Sequence, residues 1–290
     1  MRIARSISEL RTLLPVHRRT PLWLIPTMGA LHEGHGSLVD LARAEGGFAA
    51  VSIFVNPLQF GPGEDLARYP RPLEQDLAFL SDRGADLVFC PSPGELVPRP
   101  AGLSVSSGKV GALYCGKFRP GHFDGVLTVV LKLLTLFRPD RAIFGEKDRQ
   151  QLFLISSMVR DLNIPVTVSG APTVREPDGL AMSSRNRYLS PEERALASRF
   201  PALLDLAASR WTGSKVRGPR EIRAMRESLT QELAGLGFRV DYVAFVSPTT
   251  FLPLEEASST DRALLLAAVG LGTTRLIDNR DLAPPGAAGV

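Results

Sequence analysis

Between residues 22 and 168, short apolar runs alternate with amphipathic stretches, and this alternation constrains the fold more than any other feature of the sequence. Residues 22–25, 48–55, 85–90, 141–144 and 164–168 read as strands, most of them bounded by Gly, Pro or Asn. Residues 36–44, 73–83, 126–137 and 150–162 carry helical spacing. Parallel strands need crossover connections, so repeated strand–helix units predict an α/β fold whose parallel sheet is covered on both faces. In such sheets ligands bind beyond the carboxyl ends of the strands. The loops with the most unusual side chains follow Ile25, Val55 and Phe144, which is that edge.

The pattern changes near Ala171-Pro172-Thr173. Further on, Ser190-Pro191-Glu192-Glu193 and Gly218-Pro219-Arg220-Glu221 look like helix starts, each with Pro and Glu in its first turn. Residues 240–246 and 262–269 read as strands. The expected organisation is an α/β domain over residues 1–173 and a smaller α+β domain over 174–290. The Ala/Pro/Gly-rich tail from about 283 reads as disordered.

Composition narrows the function classes. The 290 residues are 44% hydrophobic and 22% charged, as expected of a globular protein with a substantial core. The net charge of +4 is spread along the chain, with Arg18-Arg19 the densest cluster. Only 7% of residues are aromatic, which disfavours stacking of single-stranded nucleic acid. A mildly basic enzyme acting on anionic ligands accounts for the charge as well as nucleic-acid binding does. The two cysteines, Cys90 and Cys115, lack metal-ligand spacing and are expected to be free thiols in a reducing cytoplasm. No signal-like segment opens the sequence and no run is long enough to span a bilayer, so neither export nor a membrane partner is expected.

Five loop segments carry the candidate chemistry. The first is Pro26-Thr27-Met28-Gly29-Ala30-Leu31-His32-Glu33-Gly34-His35, which leaves a strand and opens a helix. Helix N-termini attract anions through free N–H groups and the helix dipole, and imidazoles there add donors or positive charge. An ordinary polar helix start fits that segment equally well, and it is neither a G-x-G-x-x-G fingerprint nor a P-loop. The second is Phe54-Val55-Asn56-Pro57-Leu58-Gln59-Phe60, whose amides suit a substrate with hydroxyls and a carboxylate, although Asn56 before Pro also makes a common turn.

The third segment is Arg119-Pro120-Gly121-His122-Phe123, where a loop Arg and His suit a ligand, against the favoured structural reading of His122 as a cap for a helix starting near Val126. The fourth is Phe144-Gly145-Glu146-Lys147-Asp148-Arg149-Gln150-Gln151. A cation at a helix start conflicts with the local dipole, so Lys147 points to a polyphosphate, against the alternative of a solvated turn. The fifth is Gly179-Leu180-Ala181-Met182-Ser183-Ser184-Arg185-Asn186, two hydroxyls and a guanidinium in a glycine-led loop suited to phosphate, against the alternative of a polar turn before the helix at Pro191.

Together, in this order and spacing, the five segments resemble the pantoate–β-alanine ligases (pantothenate synthetases). The likeness is strong from Leu22 to Asn186 and fainter through Asp241-Tyr242-Val243 and the 273–279 segment. It implies a Rossmann-like domain of the H-x-G-H nucleotidyltransferase group, which binds nucleotide and pantoate, with the smaller C-terminal domain and the 61–71 loop as covers. It further implies ATP and Mg²⁺ as cofactors, small-molecule partners rather than nucleic acid, and a homodimer. The implied reaction joins pantoate to β-alanine through a pantoyl-adenylate, releasing pyrophosphate and then AMP.

Carried over by motif, the ATP contacts fall on Met28, Gly29, Ala30, Leu31, His32, Glu33, Gly34 and His35. They continue on Gly145, Glu146, Lys147, Asp148, Val174, Met182, Ser183, Ser184 and Arg185. The resemblance makes His35 the proton donor, with His32 and Lys147 supporting catalysis, and assigns pantoate to Gln59 and Gln151, with Gln59 also near β-alanine. Three positions depart from the family pattern. Gly36 stands in place of Leu and is expected to loosen the helix start, Arg149 replaces an aromatic, and Gln75 replaces an acid beside Asp76, which puts magnesium ligation there in question. The competing readings are a nucleotidyltransferase that keeps the adenylyl group on its product and an RNA-binding protein on a synthetase-like fold.

Overall fold

In the computed structural model the structure describes residues 1–15, 20–97, 102–212, 218–255 and 262–282. The Arg18-Arg19 pair and the tail from 283 lie outside the described residues. The chain forms two compact units: Met1–Glu146 with Gln150–Val174, and Lys147–Arg149 with Arg175–Val290.

The first unit holds strands β1 (Arg2–Ala4), β2 (Leu22–Thr27), β3 (Phe48–Ile53), β4 (Leu87–Phe89), β5 (Arg141–Gly145) and β6 (Thr167–Ala171). They form one parallel sheet in the order β1-β4-β3-β2-β5-β6. The helices are α1 (Ile7–Leu13), α2 (Glu33–Ala44), α3 (Leu73–Asp82), the short α4 (Pro93–Leu96), α5 (Gly108–Gly111) and α6 (Cys115–Phe118), then α7 (His122–Phe137) and α8 (Arg149–Asp161). The chain runs outward from β2 through β3 to β4, then returns to β5 on the other side of β2. The switch point, the place where sheets of this kind bind ligands, therefore lies between β2 and β5.

Strand residues facing one side of the sheet, Trp23, Ile25, Val51, Val88 and Ile143, share a cluster with Leu38 and Val39 of α2 and Leu80 of α3. Intervening residues face the other side, where Phe89 meets Phe137 of α7 edge-on at 5.8 Å. Burial on both faces explains why these strands read as continuous apolar runs.

The differences from expectation are local. β1, three residues long with only Ala4 buried, was too short to register and adds a sixth strand beside β4. β6 starts at Thr167 rather than 164 because Asn163 turns left-handed (φ 53°) and Pro165 has no N–H for a ladder. α2 and α7 begin at Glu33 and His122, earlier than 36 and 126, because Gly34, Gly36 and Gly125 dilute the helical signal.

In the second unit, β7 (Arg239–Val246), β8 (Ala263–Leu271) and β9 (Thr274–Leu282) form an antiparallel sheet in chain order. β8 is central and buried along its whole length, hence its unbroken apolar sequence. β9 was not expected because it is rich in charge, yet Leu276 and Asp278 face inward. Helices α9 (Pro191–Ala197), α10 (Arg199–Thr212) and α11 (Pro219–Gly235) accompany the sheet, and Trp211 stacks on Phe245 at 5.3 Å within the shared core. Ser190 and Glu193 form a reciprocal capping box that starts α9.

Gly47, between α2 and β3, tests the packing. A Cβ there would lie 2.2 Å from the Trp23 ring and 2.9 Å from the Ala42 carbonyl oxygen. Gly47→Ala is expected to destabilise the protein by about 1–3 kcal/mol through overpacking. Urea unfolding measures this, and an unchanged midpoint would contradict the packing described.

Candidate active site

The first candidate segment leaves β2 at the carboxyl edge and enters α2. His32 is the N-cap residue, and its ring Nδ1 accepts the Gly34 N–H at 3.1 Å. With Nδ1 accepting, a neutral His32 carries its proton on Nε2. His35 lies one turn on, its ring centroid 4.1 Å from that of His32. Gly34 is required between them, since a Cβ there would sit 2.9 Å from the His32 ring. Val174, on the segment after β6, lies next to Gly34, 3.8 Å from that Cβ position.

The turn before the histidines is left-handed twice over, at Gly29 (φ 77°) and Ala30 (φ 51°). For a residue with a Cβ this conformation is costly and persists only when its surroundings impose it. Asp76, on the first turn of α3, supplies the restraint. Its buried carboxylate accepts the Ala30 and Leu31 N–H groups, each at 2.8 Å. Gly29 fits against it because a Cβ there would lie 2.9 Å from Asp76 Oδ2.

Gly36 does more than loosen a helix. The Arg83 guanidinium lies over it, 2.6 Å from where a Cβ would be. Arg83 also pairs with Glu33 and with Asp40 (2.5 Å), and sits over the Phe79 ring.

The second segment follows β3. Asn56 is buried and structural: its Oδ1 accepts the Leu58 N–H, and its Nδ2 donates to the Gly125 carbonyl and to Gln59 Oε1. It thereby caps the Pro57–Gln59 3-10 turn and orients the Gln59 amide, whose Nε2 lies 2.9 Å from Met28 Sδ. The third segment differs from expectation. Gly121 is the N-cap of α7, and His122 occupies the first helical position with its ring turned to the Gln59 carbonyl and to Arg119. The ring therefore does not cap the helix. Arg119 pairs with Glu64 of the 61–71 loop. Burial works to raise the Glu64 pKa, but hydrogen bonding and charge from Arg119, with help from the Gly61 N–H, hold it below the usual carboxylate value.

At the end of β5, the space beside Gly145 is open, and the Glu146 side chain lies over Gly170 of β6. Gln151 is half-buried in the first turn of α8, while its neighbour Gln150 is structural, bonded to the Cys115 N–H and the Val110 and Leu113 carbonyls. Cys90 and Cys115 are thiols, not joined in a disulfide.

Lys147 and Asp148 belong to the second unit. Lys147 Nζ donates to the Met182 carbonyl at 2.8 Å, and the Lys147 carbonyl accepts from Asn279 Nδ2 at 3.0 Å. Burial pushes the Lys147 pKa down to about 8, opposed by Asp278 and Asp148 and assisted by Arg185 and Arg175. Ser183 caps the Ser184–Tyr188 3-10 turn by accepting the Arg185 N–H, and Ser184 is buried. Sequence reasoning missed the groups behind this cluster. Asp278, with its side chain 1% exposed, takes a two-pronged bond from Arg175 (2.8 and 2.9 Å) and a third contact from Arg280. Arg149, in place of an aromatic, pairs with Asp281 of β9.

Among the described residues no group of three His, Cys, Asp or Glu could hold a metal ion. Both Asp76 oxygens accept backbone N–H groups, and its neighbour is Gln75. This donor set does not fit a protein-held magnesium ion.

Together these features define the class: an α/β protein with paired imidazoles on the helix that follows β2 and, in its second unit, a lysine buried after β5. More narrowly, the sequence model of the pantoate-beta-alanine ligase family matches residues 2–281, and the chain belongs to that family. It is 50% identical over 279 residues to the pantothenate synthetase of Acidothermus cellulolyticus, covering 96% of this chain and 90% of that one. The crystal structure of the pantothenate synthetase from Thermus thermophilus is similar with a TM-score of 0.89 at 45% identity, covering 98% of this chain and all of that one. The pantoate-beta-alanine ligase from Francisella tularensis, solved with beta-gamma ATP and beta-alanine, has a TM-score of 0.80 at 33% identity and 97% coverage of both chains.

The lysine makes a prediction about stability. Its folded-state pKa of about 8 lies below the ordinary value of 10.5. Between these values the unfolded chain binds more protons, so this group makes stability rise with pH across that window. Lys147→Met is expected to remove that rise. Unfolding midpoints at pH 7.5 and 9.5 test this, and a parallel pH dependence in both proteins would contradict the burial of a charged Lys147.

Proposed function

We propose that this chain condenses pantoate with β-alanine at the expense of ATP, through a pantoyl-adenylate. The observation that carries the reading is the pair of imidazoles, ring centroids 4.1 Å apart, on the N-terminus of α2, directly beyond β2 at the switch point of the sheet.

The first half-reaction brings two anions together: a pantoate carboxylate oxygen attacks the α-phosphorus, and pyrophosphate leaves with its bonding electrons. Helix-end N–H groups, His32 and His35 counter the charge of the phosphates, with His35 as the proton donor. Each such donor is worth roughly 3 kcal/mol of barrier. The Met28–Leu31 backbone, held by Asp76, with Glu33, Gly34, Val174, Gly145 and Glu146, is assigned to the nucleotide. In the second unit Lys147, Asp148, Met182, Ser183, Ser184 and Arg185 have the same assignment. A bound polyphosphate restores the proton that burial makes Lys147 ready to lose.

Gln59 and Gln151 hold the hydroxyls and carboxylate of pantoate, and Gln59 lies near β-alanine. In the second half-reaction the β-alanine amine attacks the acyl carbon, AMP leaves, and the amine releases a proton. Holding both partners in place supplies the proximity term. Magnesium is assigned to the nucleotide's phosphates, and no residue is assigned to it. The same reading assigns a homodimer of 31.4 kDa subunits in the cytoplasm. Among the described residues no helix is long and apolar enough to cross a membrane.

In an assay with ATP, pantoate and β-alanine, AMP release is expected to need all three. An adenylylated end product, with pyrophosphate but no AMP released, would point to the nucleotidyltransferase alternative. His35→Ala is expected to lower kcat by about 10²–10³-fold without shifting the unfolding transition; near-normal turnover removes His35 from the mechanism.

A further inference from the structure

The Arg119-Pro120-Gly121-His122 segment has no role in the reaction as described, yet its two charge-bearing side chains converge on one atom. His122 Nδ1 lies 2.7 Å from the Gln59 carbonyl oxygen, and Arg119 Nη2 lies 3.1 Å from the same oxygen. Arg119 Nη1 is 3.1 Å from His122 Nε2. A guanidinium only donates, so His122 Nε2 accepts. The imidazole is therefore the neutral tautomer with its proton on Nδ1, and that proton goes to the Gln59 carbonyl.

The rest of the turn is equally constrained. Gly125 packs so closely that a Cβ there would fall 2.3 Å from the Leu58 carbonyl oxygen. Asn56 holds the Gln59 side-chain oxygen at 3.1 Å. Arg119 is itself fixed by a fork onto Glu64, at 2.9 and 2.6 Å, and these groups are largely buried. A bidentate guanidinium–carboxylate pair is specific in direction as well as strong.

We propose that Arg119 and His122 are positioning residues that set the direction of the Gln59 side chain toward the hydroxy acid by clamping its backbone carbonyl, with Glu64 fixing the clamp. The proposal rests on the reading of Gln59 as the pantoate residue. Two donors on one carbonyl leave the 59–60 peptide little freedom to rotate, and the side chain follows the Cα to which it is attached.

The test is a set of Michaelis constants for pantoate and ATP in purified full-length variants that retain the parent unfolding transition. His122→Ala and Arg119→Lys are expected to raise the pantoate KM about tenfold, the scale of losing a hydrogen bond to a buried carbonyl, and to leave the ATP KM within about twofold. His122→Asn, whose amide nitrogen takes the place of Nδ1, is expected to restore most of the pantoate KM. A purely structural role would move both constants together, or show no rescue by Asn, and either result overturns the proposal. If His122→Ala does not fold, Arg119→Lys decides by the same split. Gln59→Ala separates the clamp from the assignment beneath it. If it leaves the pantoate KM unchanged, the assignment of Gln59 fails and the clamp with it. If it raises that constant while His122→Ala and Arg119→Lys do not, only the clamp fails.

Discussion

The bond from the Asp76 carboxylate to the Ala30 and Leu31 amides is the interaction on which the candidate site depends. It holds two consecutive residues in left-handed backbone, one of them an alanine. Without a buried acceptor the turn would relax and leave two amides unsatisfied, and the histidine-bearing start of α2 would lose its fixed exit from β2. A carboxylate buried on a helix is costly unless its oxygens are satisfied. Here the two requirements meet, because the loop has amides to place and the acid needs donors.

The same logic recurs in the second unit. Asp278 is buried between Arg175 and Arg280, and the next residue, Asn279, holds the Lys147 carbonyl. Replacing either partner of such a pair leaves an uncompensated charge, so buried pairs of this kind specify geometry more reliably than they add stability. In both units a loop of candidate residues rests on a buried carboxylate whose oxygens are taken up by the protein itself.

Much of this was legible in the sequence. The strand–helix alternation carried the parallel sheet, and the loops at its carboxyl edge carried the candidate chemistry. Less legible were the charged residues that face inward. Leu73, Asp76, Leu77 and Leu80 follow i, i+3, i+4, i+7, which places an acid on the buried stripe of α3, a conflict that could have marked Asp76 as a brace. Asp278 lies two residues from Leu276 on the inward face of β9, but the charges around it masked the alternation. His122 misled for another reason. Gly125 hid the first turn of α7, so the ring read as a cap on a helix that in fact includes it.

Gly36 and Arg83 share one volume of space, so the two positions are not independent in evolution. A branched side chain at 36 requires the guanidinium to withdraw and give up Glu33 and Asp40, whereas shortening Arg83 first opens the room without a clash. The order of substitution therefore decides which path is passable. This epistasis accounts for how a glycine can persist at a helical position where propensity alone disfavours it.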